Sequence, residues 1–204
     1  MVRLALALSL AASLAGAADA GAQQPQQPPP ALPARLGAPA RAAIEALADT
    51  LRRDGLPADA LYAKAAEGVL KGADDARIVG AVRTLARELG DARGALGAGA
   101  SAGEVLAGAS ALHAGIAPEQ LRRLRLASEG GTAFPAALVV VVDLVARRVP
   151  ADVAVRSVET LVARRAGDGE LQALRVGVEQ DILAGRSPAA AAESRTRAIV
   201  GRMP

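Results

Sequence analysis

The chain offers few side chains that could carry out chemistry. It contains one histidine, His113, and no cysteine. Nucleophilic triads and zinc sites need several such groups at suitable spacing. His113 stands just before Gly115, a residue type that commonly ends helices, so its position fits an imidazole at the negative end of a helix better than a catalytic base. The sequence therefore predicts no catalytic residue, no metal ligand and no cofactor.

Paired carboxylates could do acid–base work, but each pair in this chain has a simpler explanation. Asp74-Asp75 stands at the start of a predicted helix, where carboxylates cap free N–H groups. The same explanation covers Asp168 and Glu170. Glu45 and Asp49 lie one helical turn apart beside two arginines, which is typical of a solvated charged face. No pair is nominated as a catalytic site.

Asp143 is the acidic residue that most invites a functional role, since it interrupts the most apolar predicted helix. It could be a buried functional acid. More often such a residue marks the solvent-facing side of its helix or pairs with an arginine. Asp143 is therefore a place to look and not an assigned site.

Three arginine pairs form the most regular polar feature of the chain. Each closes a predicted helix, where cations offset the helix dipole and bond free carbonyl groups. If the fold brought the pairs to one edge, they would form a basic ridge able to meet an anionic membrane surface or an acidic protein. The candidate interaction residues are Arg52, Arg53, Arg147, Arg148, Arg164 and Arg165, together with Asp143.

Composition argues against nucleic-acid binding. The net charge is only +3, and aromatic residues make up 1% of the chain. Nucleic-acid binders cluster positive charge and commonly stack bases on aromatic rings. The glycines between Gly94 and Gly103 also lack the preceding strand and the spacing of a phosphate-binding loop. We expect no nucleic-acid partner.

The first 22 residues predict export. Arg3 supplies a positive start, Leu4 to Leu14 is an apolar run, and small residues near positions 20–22 offer a cleavage site. That layout is typical of a secretory signal peptide, and the run is short for a membrane span. Without a cysteine the processed chain cannot be a lipoprotein of the usual kind. We expect a periplasmic or secreted protein held together by packing alone.

Residues 23–39 are rich in glutamine and proline, which predicts a disordered or polyproline linker. Residues 40–204 then form the predicted helical domain. Apolar residues recur at helical spacing throughout, and Gly, Pro, Asp and Ser stand between the segments. The run Leu138 to Val142 contains four valines and favours a strand by propensity. Because no neighbouring segment resembles a strand partner, we predict a buried helix there.

The predicted fold is therefore all-α, an array or bundle of about nine short helices. Helix pairs recur at roughly 33 to 43 residues, within the range of helical hairpin repeats. The spacing is irregular, so an irregular array fits better than a true solenoid. The stretch from Gly55 to Val79, with Lys64-Ala-Ala-Glu-Gly68 and Lys71-Gly-Ala73, resembles exported, Ala- and Arg-rich bacterial proteins of unknown function. That resemblance implies the all-α fold and no activity.

These observations favour an exported, non-enzymatic helical domain that acts by protein–protein contact, as an envelope adaptor, scaffold or chaperone-like factor. Another envelope protein is the expected partner. One alternative is a carrier of an apolar small ligand or lipid, with the Leu138–Val145 helix as one wall. Another is a hydrolase that uses only carboxylates.

Overall fold

The computed structural model describes residues 31–128 and 134–203, and within these residues it contains nine α-helices and no strand. The helices are α1 (Ala38–Arg53), α2 (Asp59–Leu70), α3 (Asp75–Leu96), α4 (Ala102–His113), α5 (Pro118–Ala127), α6 (Phe134–Ala146), α7 (Ala151–Val162), α8 (Asp168–Leu183) and α9 (Pro188–Val200). The predicted all-α array is confirmed. The four valines lie in α6, so the prediction of a helix there is confirmed as well.

Local chemistry sets the helix starts. The Asp74 carboxylate accepts a hydrogen bond from the backbone N–H of Arg77 at 2.8 Å, which satisfies one free donor at the start of α3. Ser101 and Glu104 form a complete capping box at α4, in which each side chain bonds the other residue's backbone N–H. The start at Asp74 was predicted from residue types alone.

The helices stack in chain order. Each of α3, α5 and α7 packs on the two helices that follow it, as does α1, and α4 and α6 do the same in the even-numbered row. No two described helices further apart in the chain than next-but-one are in contact. Contacts that run only between sequence neighbours are typical of helical hairpin solenoids. The array is therefore more regular in its stacking than the uneven repeat spacing indicated.

One pair interrupts this order. α2 packs on α1 and α3 but not on α4, whereas α4 packs on α6 and α6 packs on α8. The even-numbered row is thus open between α2 and α4, and part of α3 lies uncovered at that point. The gap is one of the places where a cleft forms.

Residues 31–39 are ordered, although the sequence predicts a disordered linker over residues 23–39. Leu32 and Leu36 are 8% and 4% exposed and pack into the core, and α1 begins at Ala38. The Arg41 guanidinium donates to the carbonyls of Pro33 and Leu36, which fixes this segment on the first helices. Two buried leucines, four residues apart in the chain, bury enough apolar surface to order a proline-containing stretch. The correction concerns residues 31–39.

The predicted signal peptide, residues 1–22, and the linker residues 23–30 lie outside the described residues. Among the helices that are described, none is both long and apolar enough to cross a membrane.

Candidate functional site

The first arginine pair takes part in local packing. Arg52 donates to the hydroxyl of Tyr62, stacks over its ring at 5.4 Å and forms an ion pair with Asp49. The Tyr62 hydroxyl in turn donates to Glu45 at 2.6 Å. Burial, and then this hydrogen bond to Glu45, raises the pKa of Tyr62. Arg53 bonds the backbone and hydroxyl of its own helix end. Arg52 therefore links α1 to α2, and Arg53 stabilises the end of its own helix.

The two arginines of the second pair, Arg147 and Arg148, have different surroundings. Arg147 contacts Asp143 at 3.0 Å and Glu179 at 2.7 Å, and so joins α6 to α8. These hydrogen bonds raise the pKa of Arg147. The Asp143 carboxylate is 27% exposed and also lies 4.0 Å from Arg175, so it is a half-exposed ion-pair partner. The interpretation of Asp143 as an arginine partner agrees with this geometry. Arg148, in contrast, is exposed and lines a surface cleft beside α8.

The third pair lines a second cleft, which we call the cationic cleft. It has a volume of about 580 Å³ and lies where the ends of α7 and α9 meet the start of α8. Three arginines and one glutamate contribute the charged groups of its wall, and the rest is largely apolar. The lining residues are Arg164, Arg165, Gly169, Glu170, Ala173, Ile199, Arg202 and Met203.

The three arginine pairs do not form one basic ridge. Arg147 and Arg148 lie against the C-terminal half of α8, near Glu179, whereas Arg164 and Arg165 lie against its N-terminal half, near Glu170. Ten residues of helix separate the centres of those regions by about 15 Å. The first pair belongs to α1, which contacts only α2 and α3. The three arginine pairs therefore lie at separate sites and not along one edge of the fold.

A third cleft, of about 390 Å³, occupies the gap between α2 and α4. We call it the α3 groove, because α3 forms its floor through Ala81, Thr84 and Leu85 and contributes Glu88 to its rim. The remaining lining residues are Lys64 of α2 and Ala109, Ser110 and His113 of α4. Leu85 belongs to the apolar stripe of α3 and is nevertheless only half-buried, since neither flanking helix covers it. The floor of the groove is thus mainly apolar and its rim carries both signs of charge.

The chain's single histidine stands at this rim. Nδ1 of His113 lies 3.0 Å from Oε1 of Glu88, and the carboxylate is 14% exposed while the imidazole is 70% exposed. A carboxylate on Nδ1 is how a catalytic histidine is commonly oriented. The hydroxyl of Ser110, which also lines the groove, donates to the Leu106 carbonyl and so is turned back on its own helix. The Glu88–His113 pair supplies a polar contact point at the edge of the groove.

Two functional candidates escaped the sequence interpretation. Glu88 and Arg202 carry no local signal, because their importance depends on residues that stacking brings from other helices. Within the part of the chain that the structure describes, no three His, Asp or Glu side chains gather as a metal ion would need. Comparisons with protein-family models, with characterised proteins and with solved structures found no match. Function has to be argued from the clefts.

Proposed function

We propose that this chain is an exported, non-enzymatic helical domain that acts by protein–protein interaction, as an envelope adaptor, scaffold or chaperone-like factor. The observation that supports this function is the α3 groove. The groove exists because the stacking order is interrupted between α2 and α4 and leaves an apolar strip of α3 open to solvent. Stacked helical hairpins commonly bind partners on such extended surfaces.

The groove fits an apolar segment of another envelope protein. Ala81 and Leu85 offer an apolar floor, and Leu106, one turn before Ser110 on α4, is an exposed apolar side chain outside the lining, at 38% exposure. Lys64 and the Glu88–His113 pair at the rim can bond polar groups that flank such a segment. A small apolar core with a polar rim is the usual composition of a protein interface.

The carrier alternative has less support. Leu138, Val141 and Leu144 of α6, the proposed wall, are fully buried against neighbouring helices and line none of the three clefts. For the carboxylate hydrolase, Asp143 and Glu179 converge on Arg147, but both form ion pairs with its guanidinium. Both alternatives stay predictions.

A photo-cross-linking experiment tests the proposal. A benzophenone amino acid replaces Ala81, an exposed residue of the groove, and in a matched variant it replaces Ala190, an exposed residue of α9. Each protein is irradiated in its native envelope and the products are identified by mass spectrometry. We expect one partner to be captured from position 81 and not from position 190. The N-terminus of the recovered protein reports at the same time whether the signal peptide is removed.

The captured partner is then purified and titrated against substituted proteins. Ala81→Glu places a charge on the apolar floor and is expected to weaken binding at least about tenfold. Ala190→Glu, the same change on an exposed helix elsewhere, should leave affinity unchanged. Equal cross-linking from both positions, or full affinity in Ala81→Glu, would exclude the groove as the binding site.

A further inference from the structure

The cationic cleft gathers three guanidinium groups around a single carboxylate, that of Glu170. Some arginines elsewhere form ion pairs, as Arg123 does with Glu159, and others, such as Arg197, are single exposed side chains, whereas the cleft brings three together. No carboxylate of residues 31–128 or 134–203 forms an ion pair with any of the three guanidinium groups of the cleft. Glu170, the one acid in the wall, accepts a hydrogen bond from the N–H of Gly167 at 2.9 Å and so serves as a helix cap. Like charges held together raise the free energy of the folded state unless an anion joins them.

The backbone at Arg165 is a second, independent observation. Six helix ends share the same pair of closing hydrogen bonds and carry a residue of positive φ at the same position. Four of these residues are glycines, which adopt that conformation without strain. At the end of α7 the residue is Arg165, with φ of 60°. Arg148 is the other exception, and of the two it is Arg165 that holds its guanidinium at the cationic cleft despite a backbone conformation that glycine adopts more easily.

We propose that the cationic cleft binds a phosphate group, held by the guanidinium groups of Arg164, Arg165 and Arg202. Planar guanidinium forks match the oxygen geometry of phosphate and give short, charge-assisted hydrogen bonds. The volume of about 580 Å³ falls within the range of small-molecule sites, so the cleft accommodates more than the bare anion. Ile199 and Met203 form an apolar part of its wall. A free phosphate ester and the headgroup of an anionic phospholipid share this chemistry.

The test is isothermal titration of the full chain at low salt with two probes. One is inorganic phosphate, and the other is dihexanoyl phosphatidylglycerol below its micelle concentration. We expect at least one probe to bind with a dissociation constant below about 1 mM. Tighter binding of the lipid by about tenfold identifies a headgroup site that uses the apolar wall, and equal affinities identify a free phosphate ester. Absence of binding by both probes overturns the proposal.

Three variants separate the cleft from general positive charge. Arg202→Gln and Arg165→Gly each remove one guanidinium and should weaken binding about tenfold or more. Arg197→Gln removes an exposed arginine of α9 that does not line the cleft and should change affinity less than about twofold. Equal affinities of Arg202→Gln and Arg197→Gln would refute a specific site.

Arg165→Gly carries a further signature. It should weaken phosphate binding and at the same time raise the thermal unfolding midpoint, since it removes the strained backbone. Arg148→Gly removes the same strain at the end of α6, beside the other cleft, and should raise the midpoint with unchanged phosphate affinity. Loss of binding in both variants would show that total charge and not the cleft holds the anion. This inference is independent of the proposed protein partner.

Discussion

Replacement of Gly68 by alanine tests how α2 and α3 pack. A Cβ added at Gly68 would lie 2.7 Å from Cγ1 of Ile78, where ordinary contact is 3.4–4 Å. Ile78 is 3% exposed and branched at Cβ, so it has little freedom to move aside. Gly80, also inside a helix, has no atom within 4 Å of the added Cβ. The same substitution at the two positions therefore differs mainly in packing.

The magnitude follows from two opposing contributions. Alanine is favoured over glycine in a helix by about 0.8–1 kcal/mol, which both variants gain. Overpacking in a core costs about 1–3 kcal/mol, which only Gly68→Ala incurs. We expect Gly80→Ala to stabilise the protein by about 0.4–1 kcal/mol, because this exposed position accepts the added methyl group without a clash. Gly68→Ala should be less stable than Gly80→Ala by about 1–3 kcal/mol.

Urea unfolding followed by two signals measures these values. Far-UV circular dichroism reports all helices, and fluorescence of Tyr62, the only tyrosine in a chain without tryptophan, reports the first three. In the Ile78→Ala background the close contact is absent, so Gly68→Ala should there stabilise as Gly80→Ala does. If Gly68→Ala stabilises the unmodified protein as much as Gly80→Ala, the close packing of α2 on α3 is refuted.

Three further predictions concern charge and helix ends. Hydrogen bonds from Lys71 and then Lys64 lower the pKa of Glu67 to about 2, so its stabilising contribution is complete above its ordinary value near 4.5 and is lost as the pH falls toward 2; a carboxyl NMR titration with a midpoint near 4.5 would contradict this. Ser101→Ala removes the α4 cap and should lower the free energy of unfolding by about 1 kcal/mol, measured in urea, whereas an unchanged value would show that the cap is dispensable. Arg148→Gly should raise the free energy of unfolding by about 0.5–1 kcal/mol, and a loss of stability would show that its positive φ is unstrained.

The helices could be predicted because residues close to each helix end determine where it begins and ends. Glycine at Gly72 and Gly115 and the cap at Ser101 act within one turn of chain, so their effect does not depend on the rest of the fold. The prediction for the Leu138 to Val142 run needed one non-local fact, the lack of a strand partner. The neighbouring segments supplied it, because none of them resembles a strand. Helix type and approximate bounds were therefore accessible from the sequence alone.

The clefts could not be predicted, because they depend on which helices meet. Leu85 has the spacing of a core residue, and only the gap between α2 and α4 leaves it half-covered. Arg202 joins Arg164 and Arg165 through the contact of α7 with α9, which no local pattern announces. The burial of Leu32 and Leu36 was missed because the proline-rich composition around them indicated disorder, although both side chains reach the core.

The stacking order has a consequence for how such a chain changes over generations. Because each described helix contacts only its nearest two neighbours on either side, a hairpin gained or lost near one end disturbs only the adjoining surface. Relatives of different length can thus keep the α3 groove while losing α8 and α9, and the cationic cleft with them. The two clefts can therefore change independently: substitutions, insertions or deletions at one need not alter the other.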